Sequence, residues 1–183
     1  MDNTSTRQVS PSRRTVLKTA GVAGFAAIFG SSTVVAQSDD REVWSFDTDD
    51  IISSSPTVVD GTVYVGSWDN YLYAVEAETG DEKWAFLTGG MINGSSPTVV
   101  DGTVYVGSWD GILYAVNAET GGQEWVYIID EITYSSPAVV DGTVFLGSVD
   151  SKLYAVAAET GEEEWIFETG DSIHSSPTVV DGT

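Results

Sequence analysis

The chain contains no cysteine among its 183 residues, and only seven of them are lysine or arginine. Without cysteine there are no disulfides, so the stability of the fold has to come from packing and hydrogen bonding alone. The shortage of basic residues excludes nucleic acid as a partner, because a phosphate backbone requires cations opposite it. It disfavours anionic membrane surfaces for the same reason.

The acidic excess is largest once the first 36 residues are set aside, since three basic residues then stand against 27 acidic ones, a net charge of −24. Such a charge destabilises a compact fold in dilute buffer, whereas molar salt shortens the Debye length to roughly 3 Å and screens the repulsion. The composition therefore predicts a halophilic protein. The acids lie mainly in repeated turns, which favours a solvated surface over a calcium or cation-binding cluster.

Long, strongly apolar runs are also lacking. The one extended apolar stretch, Thr19–Val35, is diluted by glycine and serine and follows the pair Arg13 and Arg14, whereas a membrane anchor needs about 20 apolar residues. This arrangement resembles a twin-arginine export signal. We therefore predict a cleaved signal peptide at 1–36, a linker at 37–42, and an exported protein of the cell envelope or the exterior. Membrane attachment is expected only if the leader is not cleaved.

Repetition is what the chain has in abundance. The passage SSPTVVDGT, or SSPAVVDGT in one copy, occurs four times, and its prolines are separated by 41, 40 and 40 residues. These prolines are Pro56, Pro97, Pro137 and Pro177. A second marker keeps the same period, namely Trp44, Trp84, Trp125 and Trp165. Self-similarity at about 40 residues with strand-like content is typical of propeller blades.

The second copy shows how one blade is predicted. Asp101-Gly102 is a two-residue hairpin signal, since both residues tolerate the positive φ of a type I′ turn. Short apolar strands lie on either side of it, and two further turns lead into a third and a fourth strand. The sequence thus predicts an all-β fold, a β-propeller arc of about three and a half repeats. We expect whole blades near 54–87, 95–128 and 135–168, an outermost strand alone at 43–48, and an isolated innermost strand at 175–180.

The third turn of each copy carries a family resemblance. The segment Ala74–Trp84, AVEAETGDEKW, recurs at Ala115–Trp125 and Ala155–Trp165, and it resembles the tryptophan-docking motif of quinoprotein-like (PQQ-like) propellers. The resemblance implies that the tryptophan of one blade packs on the glycine of the neighbouring blade. The docking residues expected from it are Gly80, Trp84, Gly121, Trp125, Gly161 and Trp165. The chain departs from the usual acidic third position of the motif, where Asn117 and Ala157 stand.

A WD-repeat assignment competes with this one. Trp68-Asp69 and Trp109-Asp110 look like the WD dipeptide, and the period of about 40 residues also fits. The dipeptide is lost in the next copy as Val149-Asp150. The docking motif therefore favours the quinoprotein-like class.

The resembling family includes dehydrogenases that use pyrroloquinoline quinone, and also non-enzymatic scaffolds. Those enzymes hold the quinone with calcium and carry a disulfide of adjacent cysteines, which this chain lacks. We therefore expect no catalysis and no cofactor, and predict an exported scaffold that binds a protein partner. A fragment of a quinone-dependent dehydrogenase and a ligand- or glycan-binding sensor remain open alternatives.

Binding is expected where the otherwise copied repeats differ. The candidate residues lie in the loops before the innermost strands, at one mouth of the central channel. They are Ser53, Asn93, Tyr134 and His174. Drift in exposed loops is the alternative explanation for this variation. Because the sequence stops inside the fourth copy, we also expect a truncated, open arc that self-associates through its uncovered faces.

Overall fold

The computed structural model describes residues 43–180, and within them it contains three four-stranded antiparallel sheets and no helix. Each sheet is one blade. Blade 1 comprises β1 Thr57–Val59, β2 Thr62–Gly66, β3 Tyr71–Glu76 and β4 Glu82–Leu87. Blade 2 comprises β5 Thr98–Val100, β6 Thr103–Gly107, β7 Ile112–Asn117 and β8 Gln123–Ile128. Blade 3 comprises β9 Ala138–Val140, β10 Thr143–Gly147, β11 Lys152–Ala157 and β12 Glu163–Glu168. The predicted all-β architecture is confirmed.

The Asp–Gly pairs form the first hairpin of every blade. In blade 2, Asp101 has a φ of 49° and Gly102 a φ of 81°, and Val100 pairs directly with Thr103 across the turn. Positive φ at both central residues is the requirement of a type I′ turn, whose twist matches that of the flanking strands. These repeated aspartates therefore have a structural role in the turn.

A β-bulge sets the position of the repeated tryptophan in each blade. The register between the third and fourth strands shifts after Ala74, and at the corresponding alanine in the other blades. Ala74 then lies directly opposite Trp84 and is fully buried. A small residue opposite the indole leaves room for the ring, and the bulge strengthens the local twist.

The core lies between successive blades. Each blade has a trailing face, turned toward the next blade, and a leading face, turned toward the previous one. The trailing face of blade 1 is formed by Tyr64, Leu72, Ala74 and Trp84, and it packs in one apolar cluster with the leading face of blade 2, Val104, Val106, Tyr114 and Val116. The same contact recurs between blades 2 and 3. Each blade is therefore stabilised chiefly by its neighbours.

Two predicted strands are not strands in the structure. Segments 43–48 and 175–180 are both irregular, because neither has a partner strand among residues 43–180 with which to form a ladder. Both segments nevertheless lie against a blade. Trp44 packs on Gly80 of blade 1, and the N–H of Ser136 in blade 3 donates to the Ser176 hydroxyl at 2.9 Å.

The innermost strands begin later than predicted. Strand β5 starts at Thr98 rather than Ser95, because the Ser-Ser-Pro passage ahead of it uses its polar groups elsewhere. The Ser95 hydroxyl accepts a hydrogen bond from the N–H of Gly107 at 3.0 Å, and proline has no N–H to offer to a ladder.

The predicted signal peptide at 1–36, with Arg13 and Arg14, and the linker at 37–42 lie outside the described residues. From 43 to 180 no helix is long and apolar enough to cross a membrane.

Candidate interaction face on the inner loops

Three tryptophans dock in the same way on the blade that follows them. The indole N–H groups of Trp44, Trp84 and Trp125 donate to the carbonyls of Ala77, Ala118 and Ala158 at 2.8, 3.0 and 3.0 Å. Each ring lies over the glycine three residues after its acceptor, so a Cβ on Gly80, Gly121 or Gly161 would stand only 2.7–2.8 Å from the ring. These glycines also have φ values of 70–74°. Glycine is therefore required both for the turn and for the approach of the indole.

Trp165 is the fourth member of the series, and in residues 43–180 no carbonyl accepts from its indole. Its side chain is 44% exposed, whereas Trp84 is 9% exposed. Its position within its own blade is unchanged, since the Phe145–Trp165 ring distance of 5.8 Å equals the Tyr64–Trp84 distance. Among the described residues, the Trp165 indole therefore lacks the carbonyl and glycine contacts that the other three tryptophans make, although Ile173 lies over Gly147 of the same blade.

A ladder of serines connects the inner edges of the blades. The N–H of Ser55 donates to the Ser96 hydroxyl at 2.9 Å, and the N–H of Ser96 donates to the Ser136 hydroxyl at 2.8 Å. Ser136 continues the pattern with Ser176. This role of the serines was not predicted from the sequence, although the second serine recurs in every copy.

The four loop residues singled out in the sequence form a continuous line along this inner edge, called the inner-loop row below: Ser53, Asn93, Tyr134 and His174. The Ser53 hydroxyl donates to the Asn93 side-chain carbonyl at 3.0 Å. The centres of the Tyr134 and His174 rings lie 5.3 Å apart, and the two rings are tilted by 40° to each other. A side chain at Gly94 would contact Tyr134, so the polar half of the row adjoins the aromatic half.

Two further aromatic residues flank the row. The Trp68 indole N–H donates to the Ser53 hydroxyl at 2.7 Å. Trp109 holds the same place in blade 2, but its buried indole N–H finds no acceptor within residues 43–180, and its ring meets Tyr134 edge to face at 5.2 Å. The reason lies in the loop ahead of blade 2, where Asn93 and Gly94 stand in place of a serine. The T-shaped contact with Tyr134 is the arrangement that aromatic quadrupoles prefer.

The inner loops do not align residue for residue. Counting back the same number of residues from each proline pairs Asn93 with Thr133 and Ile173. In the structure Ile92 is the equivalent of Thr133. Both are fully buried, because each fills the space over a strand-ending glycine, Gly66 or Gly107. The 41-residue spacing reflects one inserted residue at Asn93-Gly94, which the positive φ of Gly94, 76°, accommodates.

The carboxylates nearest the inner loops hold turns together. Asp110 accepts from the N–H of Ile112 at 3.0 Å and from the N–H of Gly89 and the Tyr114 hydroxyl at 2.7 Å each. Burial, together with the hydrogen bond to Asp110, raises the pKa of Tyr114 to about 12. Burial and the hydrogen bond to Asp69 also raise the pKa of Tyr73. Asp110 therefore has its oxygens engaged within the fold.

The described residues do not fit a calcium–quinone site. No group of three or more His, Asp or Glu side chains that could hold a metal ion occurs in residues 43–180. The quinone is itself a polyanion and needs cations, but both described lysines are engaged with carboxylates. Lys83 lies 3.3 Å from Glu76, and Lys152 lies 3.6 Å from both Asp130 and Asp150.

Four-stranded blades joined by tryptophan–glycine docking define this chain as part of a quinoprotein-type β-propeller. The chain belongs to the family described as outer membrane protein assembly factor BamB, whose pattern matches residues 9–137 and 129–183. No curated protein matches it significantly.

Solved structures with the same fold include BamB from Moraxella catarrhalis, which is 24% identical with a TM-score of 0.68 over 76% of this chain and 44% of that one. Quinohemoprotein alcohol dehydrogenase ADHIIG from Pseudomonas putida HK5 is 28% identical, with a TM-score of 0.60 over 67% of this chain and 21% of that one. The corresponding enzyme from Comamonas testosteroni is 29% identical, with a TM-score of 0.58 over 65% and 21%. The chain thus spans less than half the length of each of these proteins.

Proposed function

We propose that this protein is a non-catalytic, exported propeller scaffold that binds a protein partner in the cell envelope. The inner-loop row is the observation that supports this most. The row brings together the places where otherwise copied repeats differ, and it offers a hydroxyl, an amide and two neighbouring rings along one edge. Ser53 and His174 are exposed, and Asn93 and Tyr134 are partly exposed. Accessible aromatic and amide groups on a rigid scaffold are typical of a protein-binding surface.

Membership of the family supports the same proposal, because the family is described as an outer membrane protein assembly factor. An envelope location would agree with the leader, whose Arg13-Arg14 pair resembles an export signal. The net charge of −24 after residue 36 favours a partner surface that is neutral or basic.

The experiment is affinity capture of envelope proteins at molar salt, with three versions of the chain. The wild type is compared with Tyr134→Ala/His174→Ala, which removes the aromatic half of the row. The matched control is Leu87→Ala/Ile128→Ala, which removes two exposed apolar side chains from outer strands. We expect one protein to be recovered equally with the wild type and the control, and about tenfold less with the row variant. Equal recovery with all three would contradict the proposal.

A fragment of a quinone-dependent dehydrogenase is the second candidate, favoured by the 28% and 29% identity with the alcohol dehydrogenases. Adding pyrroloquinoline quinone and calcium distinguishes it. A bound-quinone absorbance together with alcohol-dependent dye reduction would support the enzyme and contradict the scaffold. A ligand- or glycan-binding sensor, the third candidate, would instead show a small molecule or glycan in the captured material.

A further inference from the structure

We propose that Asn93 is a site of spontaneous deamidation, at which the side-chain amide becomes a carboxyl group through attack by the backbone nitrogen of Gly94. The proposal concerns the chemistry of one side chain and does not rest on the proposed function. The site lies between β4 of blade 1 and β5 of blade 2, away from the first and last described residues.

The residue after Asn93 offers little obstruction to this reaction. The nitrogen of the following residue has to approach the side-chain carbonyl carbon of the asparagine, and glycine has no Cβ to hinder that approach. Asn93-Gly94 is the only Asn-Gly pair in the sequence. It lies in a partly exposed, irregular loop, so no strand ladder holds this peptide in place.

The two reacting groups meet on one hydroxyl. The Ser53 hydroxyl donates to the Asn93 side-chain carbonyl at 3.0 Å and accepts from the N–H of Gly94 at 3.3 Å. It also accepts from the Trp68 indole N–H at 2.7 Å. A hydroxyl that accepts hydrogen bonds becomes a stronger donor. Ser53 therefore polarises the carbonyl that is attacked, and it faces the N–H whose proton has to leave.

The atoms of the reaction balance with water as the added reactant. The Gly94 nitrogen forms a bond to the Asn93 side-chain carbonyl carbon and gives up its proton, while the Ser53 hydroxyl donates to the oxygen on which negative charge develops. The bond from that carbon to the side-chain nitrogen then breaks, and ammonia leaves with the proton. Water opens the resulting cyclic imide to aspartate or isoaspartate, and the serine is unchanged.

The other two asparagines within residues 43–180 lack this arrangement. After Asn70, the N–H of Tyr71 donates to a carboxylate at 2.9 Å. After Asn117, the N–H of Ala118 donates to a backbone carbonyl at 2.8 Å. Both attacking nitrogens would also belong to residues with a Cβ. These two asparagines are therefore internal controls in the same molecule.

Conversion of Asn93 changes the inner-loop row. It replaces a neutral amide by a carboxylate beside Ser53, so the polar half of the row becomes charged. Isoaspartate also carries the backbone through the former side chain, which lengthens the loop next to Gly94. The charge and the shape of the row therefore change with the age of the molecule.

The test is peptide mapping by mass spectrometry after incubation of the folded 183-residue chain in isotopically labelled water at molar salt. Deamidation takes one labelled oxygen from the water into the new carboxyl group. We expect conversion at Asn93, with Asn70 and Asn117 slower by about tenfold or more. Ser53→Ala should slow the conversion of Asn93 by about tenfold, because the assisting hydroxyl is lost. Ser53→Thr keeps a hydroxyl at this exposed position and should retain the wild-type rate.

Anion-exchange chromatography gives a second readout, since the product carries an additional negative charge. The acidic form should be absent from Asn93→Gln, because glutamine closes a larger ring more slowly, and circular dichroism checks that each variant is folded. An Asn93 that stays intact in the folded chain would overturn the proposal, as would equal rates at the three asparagines. Conversion in Ser53→Ala as fast as in the wild type, or faster, would contradict the role given to the hydroxyl, and so would a slow Ser53→Thr.

Discussion

Replacement of Trp84 and of Trp165 by alanine is the same chemical change at equivalent places of two blades, yet we expect very different costs. Trp84 is buried, its N–H bonds to the Ala118 carbonyl at 3.0 Å, and its ring covers Gly121. Truncating a buried aromatic residue costs about 3–5 kcal/mol. Trp165 lacks both contacts within residues 43–180, so its loss should cost about 1 kcal/mol or less.

Urea unfolding followed by far-UV circular dichroism measures this difference. The salt concentration is kept molar and the protein dilute, so that neither repulsion nor self-association contributes. With a slope of about 2 kcal/mol per molar urea, Trp84→Ala should lower the midpoint by about 1.5–2.5 M, and Trp165→Ala by about 0.5 M or less. Trp125→Ala is the positive control, because its N–H bonds to the Ala158 carbonyl at 3.0 Å. Equal midpoints for Trp84→Ala and Trp165→Ala would refute the view that docking between blades stabilises this fold.

Three further predictions concern glycine, salt and pH. Gly121→Ala should destabilise the chain by several kcal/mol more than Gly102→Ala, and paired urea titrations measure the difference. Both glycines have positive φ, but an added Cβ would stand 2.8 Å from the Trp84 ring at Gly121 and would meet nothing within 4 Å at Gly102. The melting temperature should rise by tens of degrees between dilute buffer and molar salt, because screening removes the self-repulsion of the acidic chain. A melting temperature that does not change with salt would argue against the halophilic interpretation. The pKa of Tyr114 is raised to about 12 in the fold from its ordinary value of 10.0, so its contribution to stability is complete below pH 10 and is lost as the pH rises toward 12. Urea midpoints across that range should fall more steeply for the wild type than for Tyr114→Phe.

The blades were predictable because local and repeated signals coincide. Asp-Gly pairs fix the hairpins through positive φ, and the 40-residue spacing of tryptophan and glycine indicates which groups meet between blades. The docking partners could be named from a resemblance, but the acceptor of the indole N–H could not, because a backbone carbonyl leaves no mark in the sequence.

The departures from the docking motif had a cause that only the structure shows. Glu76 forms an ion pair with Lys83 across two strands at 3.3 Å. Where the lysine is replaced by Glu124, the facing acid is replaced by Asn117, whose amide donates to that glutamate at 3.1 Å. Two carboxylates facing each other would repel. The residue type at the third position of the motif therefore depends on the charge of its cross-strand neighbour, which lies seven residues later in the sequence.

The inner loops were only partly predictable. Their variability marked Ser53, Asn93, Tyr134 and His174, but it gave no indication that Ile92 and Thr133 are buried. An inserted residue cannot be placed by counting when the sequence on both sides varies. The alignment follows from the contacts instead, because Ile92 lies over Gly66 and Thr133 lies over Gly107, the equivalent glycines of the preceding blades.

Site-specific photo-crosslinking tests the proposed function most directly. A benzoylphenylalanine at position 134 places the reactive group in the inner-loop row, and one at position 128 places it on an outer strand away from the row. With envelope proteins at molar salt, we expect one protein to be crosslinked at position 134 and little or nothing at 128. The same protein crosslinked with equal yield at both positions, or no protein at position 134, would contradict a partner-binding role for the inner loops.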